Sequence, residues 1–393
     1  MKPPAGSGAL RRQTNAWRCE LTQTNTCRLL AGLVVSAAVI LAIAGCKPTQ
    51  GDMEWKVTLG DRVSAAPAVG PDGDIYVGCS DRTVYVISPE GHVLRQSAQT
   101  RGSVYAPVIG TDGTVYVSAA DGSGRTLYAL TPELALKWSF NGGGDCVALA
   151  ADGTVYARGG FELHALQSDG TEKWVTTPPS LWGRFGVPAI RSDGTIFVGC
   201  DGCDMMAVEP DSGGFRWKYG RSMYVDGTSA AIGVNGHVYA LASDNRITEF
   251  EADSGTVISY FEFGATAPVI SSDGIYSWNS SYKALYRIPA SGGSAYSLFS
   301  SSSGNFYPPA IAATGDIYVS SRDTFYVLSS SGQVKRHLPC DEAISTAPTI
   351  GLDGTVYFGA GASLYAMRGD GRYPTNQPWP MYRQNCRHTG RAE

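Results

Sequence analysis

The stretch that decides the fold is APVIGTDGTVYVSAADGSGRTLYAL, residues 106–130. Apolar runs rich in Val, Ile and Tyr lie on both sides of Asp112-Gly113, and a third run, LYAL, follows a looser polar patch. Asp-Gly between β-rich runs is typical of a tight hairpin turn, because glycine adopts the positive φ that the turn needs and aspartate tolerates it better than most residues. The stretch therefore predicts consecutive antiparallel strands.

The composition agrees with a turn-rich, all-β protein. Of the 393 residues 48 are glycine and only 17% are charged, whereas glycine is usually about 7% of a chain. The formal net charge is −4, and it becomes −8 without residues 1–45, which hold five basic residues and one acidic residue. Phosphate contact needs clustered Lys and Arg, so no nucleic-acid partner is expected.

The same phrase returns along the whole body of the chain at a nearly constant spacing. Its turn glycines are Gly73, Gly113, Gly153, Gly194, Gly236, Gly274, Gly315 and Gly354. A period of about 40 residues with four β segments per unit is the size of one propeller blade. We therefore predict an all-β, eight-bladed β-propeller of four-stranded antiparallel blades, since blades around an axis cover each other's faces and leave few open edges.

The N-terminus is typical of a bacterial lipoprotein. Residues 29–45, LLAGLVVSAAVILAIAG, carry no charge and follow Arg28, as in the apolar region of a signal peptide. The segment ends in Ile43-Ala44-Gly45-Cys46, which matches a lipobox, so Cys46 is the predicted lipidation site. An uncleaved membrane anchor is the alternative, because the apolar segment is just long enough to span a bilayer.

The repeat phrases DGTVYV and LYAL, with Trp138, Trp174 and Trp217 in the last strand of three units, resemble the PQQ-like β-propeller family. Together with the lipobox, the chain resembles the BamB-like bacterial lipoproteins over about residues 54–371. The resemblance implies a lipid-anchored scaffold on the periplasmic side of the outer membrane that binds envelope or outer-membrane proteins as a monomer. One propeller fold serves many tasks, so the repeat itself is weak evidence of function.

Closure of the ring needs one more outer strand. EWKVTL, residues 54–59, precedes the first unit and contains Trp55, and we expect it to complete the eighth blade. Trp379, in the tail WPMYRQNCRHTGR, is the alternative, because it lies as far after Gly354 as Trp138 lies after Gly113. The predicted divisions are a lipoprotein signal peptide (1–45), a lipidated linker (46–53), the propeller (54–371) and a tail packing on its seam (372–393).

The predicted functional face is the one that carries the longer, irregular connections, because binding residues concentrate on variable loops of a rigid scaffold. Its candidate contact residues are Arg101, Tyr105, Asp145, Trp182, Arg184, Phe185, Tyr224, Asp226, Phe306, Tyr307, Asp341 and Glu342. Trp, Tyr and Arg are the residue types that anchor protein partners. The alternative for each is that it covers the core.

Signals for catalysis are weak, and we predict that the protein is not an enzyme. The family name suggests pyrroloquinoline quinone, but the adjacent cysteines and the acidic and Asn calcium ligands of quinoprotein dehydrogenases have no counterpart, so no cofactor and no metal are expected. Cys200-x-x-Cys203 lacks a second zinc-ligand pair; a local disulfide, a reduced pair and a metal or redox site all stay open. The alternative function is a small-molecule or glycan binder at the propeller funnel, or a degenerate quinoprotein.

Overall fold

The computed structural model describes residues 53–122, 124–143, 146–179, 183–200, 205–220, 230–242, 245–262, 264, 266–302, 306–369, 373–375, 379–385 and 387–392. These residues form strands, turns and bends, and there is no helix among them. Accordingly, the described part of the chain contains no helix long and apolar enough to cross a bilayer. The predicted signal peptide and Cys46 lie outside the described residues.

The described residues form eight blades, each a sheet of four antiparallel strands. Strand β1 (Met53–Thr58) comes first in the chain but belongs to the last blade. Blade 1 consists of β2 (Ala68–Val69), β3 (Ile75–Gly78), β4 (Val84–Ile87) and β5 (Val93–Gln96). Blade 2 consists of β7 (Val108–Ile109), β8 (Val115–Asp121), β9 (Gly124–Leu130) and β10 (Leu136–Asn141), with β6 (Ser103–Val104) as an extra strand beside β8. Blade 3 consists of β11 (Val147–Leu149), β12 (Val155–Gly159), β13 (Glu162–Leu166) and β14 (Glu172–Thr176), and blade 4 of β15 (Ala189–Ile190), β16 (Ile196–Gly199), β17 (Met205–Val208) and β18 (Phe215–Tyr219).

The second half of the ring repeats the arrangement. Blade 5 consists of β19 (Ala231–Ile232), β20 (Val238–Leu241), β21 (Ile247–Phe250) and β22 (Val257–Phe261), and blade 6 of β23 (Val269–Ser271), β24 (Gly274–Asn279), β25 (Ala284–Pro289) and β26 (Tyr296–Ser300). Blade 7 consists of β27 (Ala310–Ile311), β28 (Ile317–Ser321), β29 (Thr324–Leu328) and β30 (Val334–Pro339). Blade 8 consists of β31 (Thr349–Ile350), β32 (Val356–Ala360) and β33 (Ser363–Met367), with β1 as its fourth strand. The predicted fold, an eight-bladed propeller, is confirmed.

The N-terminal strand closes the ring as predicted. β1 pairs antiparallel with β33, with Trp55 opposite Ala366, and it forms the outer edge of blade 8. Trp138, Trp174 and Trp217 occupy the same position in blades 2, 3 and 4, each opposite an alanine of the neighbouring strand. Trp379, the alternative closing residue, lies instead beside Ile270 of the innermost strand of blade 6.

The repeated Asp-Gly-Thr phrase forms the turn between the first and second strands of a blade. In blade 2 the Asp112 carboxylate accepts hydrogen bonds from the backbone N–H of Thr114 at 3.0 Å and from its hydroxyl at 2.6 Å, and Gly113 takes a φ of 78°. Asp152 and Asp353 do the same in blades 3 and 8. An aspartate that binds the backbone two residues later stabilises a turn locally, so the phrase is explained by architecture.

The outer tryptophans join neighbouring blades. Nε1 of Trp55 donates to the carbonyl oxygen of Pro89 in blade 1 at 2.7 Å, and Nε1 of Trp138 donates to that of Ser168 in blade 3 at 2.8 Å. Trp174 and Trp217 repeat this contact with the blade that follows each of them. Each ring lies on a turn glycine of the next blade: a Cβ added at Gly91 would come within 2.7 Å of the Trp55 ring. Glycine at this turn therefore leaves the space that the tryptophan ring of the preceding blade occupies.

The C-terminal tail runs along the inside of the ring. Backbone N–H groups of five inner strands donate to tail carbonyl oxygens: Ile270 to Trp379 (2.8 Å), Ile311 to Pro380 (2.8 Å), Ile109 to Arg387 (3.0 Å), Leu149 to Thr389 (2.9 Å) and Ile190 to Gly390 (2.8 Å). At the seam, Nε2 of His388 lies 3.2 Å from the Thr349 hydroxyl oxygen of blade 8. The tail therefore accepts hydrogen bonds from backbone N–H groups that face the channel. Such groups are costly to leave unpaired when they are buried.

Candidate functional site

The two ends of the ring differ in their connections. The Asp-Gly turns and the turns between the third and fourth strands share one end, because strands alternate in direction within a blade. The connections between blades, and those between the second and third strands, lie at the other end, here called the loop-rich face. The tail bonds to the last or the next-to-last residue of each of these inner strands, close to the turns between the first and second strands. It therefore fills the channel at the turn end.

A cavity of about 350 Å³ lies in the centre of the loop-rich face. Its hydroxyl-bearing lining residues are Ser64, Ser345 and Thr346. Its aromatic lining residues are Tyr105, Tyr307 and Tyr382, and its small apolar ones are Ala65, Ala66, Ala106, Val187, Pro308 and Ala347. Cys146, Arg158 and Arg383 complete the described lining. Its volume is at the lower end of the range for small-molecule pockets.

The floor of the cavity comes from the tail. Tyr382 and Arg383 line the cavity from below, and the Arg383 guanidinium lies 5.4 Å from the centre of the Tyr382 ring. Arg383 is 3% exposed, and it and Gln384 have φ values of 57° and 74°. Two successive non-glycine residues in the left-handed region are uncommon and persist only where the surrounding structure fixes them. The tail backbone is therefore held in one shape under the cavity.

Two of the predicted contact residues, Tyr105 and Tyr307, line this cavity. Burial raises the pKa of the Tyr307 hydroxyl, and the charge and hydrogen bond of Arg62 oppose that shift. Phe185, by contrast, is fully buried in the core. Its carbonyl oxygen accepts a hydrogen bond from Nη1 of Arg158 at 2.7 Å, so it helps to fix the position of a side chain that lines the cavity.

The other described candidates lie apart from the cavity. The ring of Phe306 stacks on that of Trp278, with 4.4 Å between centroids. Asp341 is largely exposed, and its carboxylate lies 2.5 Å from Nζ of Lys56. Glu342 is exposed and Arg184 half-buried. Asp145, Trp182, Tyr224 and Asp226 lie outside the described residues, so their part in a site stays a prediction.

Arg101 belongs to a second, smaller cleft on blade 2. The cleft has a volume of about 220 Å³, and its side-chain lining is Arg101, Asp121, Arg125, Thr126 and Asn141. It is formed where the β8–β9 hairpin, with seven residues in each strand, extends beyond the second and third strands of the other blades. Sequence reasoning predicted Arg101 but not this hairpin, although the longer polar loop in the repeat was its signal.

The cysteines of the described residues are mostly reduced. Cys79, Cys146 and Cys340 are reduced thiols, whereas Cys200 is disulfide-bonded. Cys203, its predicted partner, lies outside the described residues, so the pairing itself stays a prediction. Cys79 and Cys200 occupy equivalent positions in blades 1 and 4, because their backbones form equivalent isolated β-bridges, to Val63 and to Phe185.

The described lining of the cavity does not fit the calcium-bound quinone of the quinoproteins. Its described lining offers neither a carboxylate nor an amide to a calcium ion, and such hard cations need several oxygen ligands. Among the described residues, no group of three or more His, Cys, Asp or Glu side chains is placed to hold a metal ion. The described residues therefore give no support to quinone chemistry at this site.

The fold and the repeat define the class of protein, a PQQ-like β-propeller. The family model described as "Outer membrane protein assembly factor BamB" matches residues 42–177 and 160–334, about three quarters of the chain. The chain belongs to this family, as the sequence predicts.

Solved structures show the same fold at low sequence identity. The crystal structure of BamB from Moraxella catarrhalis matches with a TM-score of 0.66 and 14% identity, covering 80% of this chain and 99% of that chain. The computationally designed Ika8 protein matches with a TM-score of 0.64 and 16% identity, covering 81% and 100%. No curated protein matches the sequence. Because a designed protein is as similar as a natural one, these likenesses carry the fold alone.

Proposed function

We propose that this protein is a non-catalytic, lipid-anchored scaffold of the bacterial cell envelope. In this proposal it presents its loop-rich face to outer-membrane proteins during their assembly. The observation that carries it is the match to the BamB family model over residues 42–334. The lipobox that ends at Cys46 supplies the anchor and supports an outer-membrane location.

The direction of β1 supports a propeller whose loop-rich face points away from the membrane. Met53 pairs with Met367 and Thr58 with Ser363, so β1 begins at the turn end and runs toward the loop-rich face. Met53 follows Cys46 by only seven positions, and a fully extended chain spans at most about 3.6 Å per residue, or ~25 Å in all. A lipid at Cys46 therefore holds the turn end near the membrane and leaves the loop-rich face pointing away from it.

The mechanism is rigid display. Blades joined by tryptophans and closed by β1 fix the relative positions of loops that come from different parts of the sequence. A rigid surface loses little conformational freedom on binding, which leaves more of the contact energy as affinity. Arginine and aromatic side chains are the anchors that such a face offers to a partner. Arg101 is an exposed arginine on this face.

Affinity purification of the lipidated protein from membranes tests the scaffold role. We expect recovery of an outer-membrane barrel assembly complex, and Arg101→Glu should weaken that recovery. The matched control is Val234→Glu, because Val234 is 75% exposed and lies in an Asp-Gly-type turn at the opposite end of the ring. Recovery that is lost with Val234→Glu but kept with Arg101→Glu would overturn the choice of face.

The anchor and the absence of catalysis have separate tests. Labelled fatty acid should enter the wild-type protein and not Cys46→Ser; labelling of both would refute the lipobox assignment. For the chemistry, the purified protein should not reduce an acceptor dye when it is supplied with pyrroloquinoline quinone, calcium and an alcohol or aldose as electron donor. Quinone-dependent reduction of the dye would overturn the non-catalytic assignment.

A further inference from the structure

The hydroxyl groups in the walls of the central cavity are engaged within the protein. The Ser64 hydroxyl donates to the carbonyl oxygen of Gly78 at 3.1 Å. The Ser345 hydroxyl donates to the carbonyl oxygen of Val63 at 2.8 Å, and the Thr346 hydroxyl oxygen accepts a backbone N–H of β32 at 2.8 Å. Because each of these hydroxyls is already paired, they add little to the binding of a polar occupant such as a sugar.

The described walls also offer aromatic and methyl surface. Tyr105, Tyr307 and Tyr382 line the cavity, and each is only half-buried. Tyr105 comes from the connection between blades 1 and 2, Tyr307 from that between blades 6 and 7, and Tyr382 from the tail. Ala65 and Ala106, which are also half-buried lining residues, leave room for a ring. Aromatic rings pack on one another in offset or edge-to-face arrangements that stabilise beyond the area they bury.

The floor of the cavity suits a ring as well. The Arg383 guanidinium lies 5.4 Å from the centre of the Tyr382 ring. A guanidinium stacks its plane on an aromatic ring while the N–H groups along its edges bind other groups, so the floor accepts a ring whatever else Arg383 binds. The N–H of Gly390 donates to the Arg383 carbonyl oxygen at 3.1 Å and helps to hold this floor in place. Because the tail closes the channel below, an occupant enters from the loop-rich face.

The cavity has the position and the size of an anchor pocket in a protein interface. It lies in the centre of the loop-rich face, and its volume is about 350 Å³. The residues that carry most of the energy of a protein interface are often aromatic, and they fill pockets near its geometric centre. A pocket that ends at a floor suits a side chain better than a chain segment that passes through, and this volume is small for an oligosaccharide.

We propose that this cavity is the central anchor pocket of the loop-rich face and takes one uncharged aromatic side chain from a loop of the protein partner. The inference rests on the scaffold function proposed above and adds the chemistry by which the partner is recognised, a loop with Phe, Tyr or Trp at its tip. The ring packs between the tyrosines of the walls and on the floor formed by Tyr382 and Arg383. Such a side chain has few torsions to fix on binding, so most of its contact energy remains as affinity.

Filling the cavity from within tests whether it binds a ring. The probe is N-acetylphenylalaninamide, an uncharged mimic of one phenylalanine in a chain, and saturation-transfer NMR with the full-length wild-type protein should show transfer to its ring protons. In Ala65→Trp and Ala106→Trp the added indole occupies the cavity, and we expect the transfer to be lost. Ala295→Trp is the matched control and should keep it, because Ala295 is also half-buried but precedes β26 at the turn end. Full transfer in both cavity variants would overturn the proposal.

Cys146 reports where the probe binds. It is a reduced thiol that lines the cavity, and Cys340 is a reduced thiol that does not. Alkylation by iodoacetamide, in which the thiolate displaces iodide, can be followed at each cysteine by mass spectrometry. At about twice its dissociation constant N-acetylphenylalaninamide should slow labelling of Cys146 about threefold and leave Cys340 unchanged, whereas the aliphatic N-acetylleucinamide at the same concentration should have little effect. Equal slowing by the two amides, or none by either, would overturn the aromatic pocket even if the cavity variants fail to fold.

The source of the ring is tested with the partner. The lipidated wild type and Ala295→Trp should recover the barrel assembly complex from membranes, and folded Ala65→Trp and Ala106→Trp should recover at least about fivefold less, because an anchor is shut out. Undiminished recovery by both cavity variants would overturn the proposal and leave the scaffold function standing. Recovery of no complex by the wild type would overturn the scaffold function and with it the partner's ring, and probe binding would then assign the pocket to a free aromatic compound.

Discussion

The ring closure by β1 makes a quantitative prediction for Trp55. Its indole donates to the Pro89 carbonyl oxygen at 2.7 Å, lies on Gly91 and packs 5.8 Å from the Tyr357 ring. Trp→Ala at a fully buried site costs about 3–5 kcal/mol, and Trp55 is half-buried. We therefore expect Trp55→Ala to lower the free energy of unfolding by about 3 kcal/mol, the lower end of that range. Trp55→Phe keeps the ring contact and should lose only the hydrogen bond, about 1 kcal/mol.

Trp138→Ala is the matched control for the closure itself. Trp138 is also half-buried, donates to a carbonyl oxygen at 2.8 Å and lies on a turn glycine, Gly170. Its strand lies between two described strands of the ring, β9 and β11, whereas β1 is the first described strand and continues into the propeller through its C-terminal end. The two variants should therefore lose similar stability in denaturant unfolding, but only Trp55→Ala should release its strand.

Hydrogen exchange separates the two outcomes. In Trp55→Ala the backbone amides of β33, which pair with β1, should exchange faster than the global unfolding rate allows. In Trp138→Ala the amides of β9 should stay protected. Unchanged protection of β33, or a stability loss in Trp55→Ala no larger than that of an ordinary surface substitution, would refute the reasoning that β1 and its tryptophan hold the ring closed.

Three further predictions follow from single residues. Asp353→Ala should cost about 1 kcal/mol in denaturant unfolding, since it removes the acceptor for the Thr355 N–H and hydroxyl, whereas Asp353→Asn should cost less; equal costs would contradict the turn model. Burial, with Arg383 nearby, lowers the pKa of His388 to about 3; an unfolded histidine protonates near 6.5, so the stability that the neutral folded form provides is complete above that pH and is lost as pH falls. Between pH 7 and 5 the wild type should lose about 2 kcal/mol more than His388→Gln, and equal losses would contradict a neutral buried imidazole. Trp379→Ala should cost about 3–5 kcal/mol because Trp379 is 1% exposed, and it should speed hydrogen exchange at Ile270 and Ile311; unchanged exchange there would contradict the bonding of the tail to the inner strands.

The repeat predicted the ring because its turn chemistry is local. An Asp-Gly-Thr turn is fixed by contacts within a few residues, so the sequence carries it directly, as at Asp112. Blade 6 departs from this rule. There the hairpin tightens so that Ser271 pairs with Gly274 and the glycine enters the strand. The interval from Gly236 to Gly274 is the shortest between successive turn glycines, and it is the trace of this tightening in the sequence.

The candidate site was less predictable because it is assembled from distant segments. Tyr105, Tyr307 and Tyr382 come from two blade connections and the tail, and nothing in their local sequence says that they meet. The floor depends on the path of the tail, which is fixed by backbone bonds to inner strands far away in sequence. Phe185 illustrates the other alternative that the sequence left open: it is an aromatic residue in a variable loop, and its side chain is buried in the core.

The two ends of the chain give the ring its polarity. β1 enters at the turn end, where Met53 pairs with Met367, and the tail leaves β33 at the same end before it lines the channel. Because the tail bonds to the inner strands there, a ligand or partner segment cannot pass through the channel without displacing it. A lipid at Cys46 would also occupy the turn end, since its tether is short. The loop-rich face is then the surface left for recognition, with the cavity floored by Arg383 at its centre and the cleft of Arg101 on blade 2 beside it.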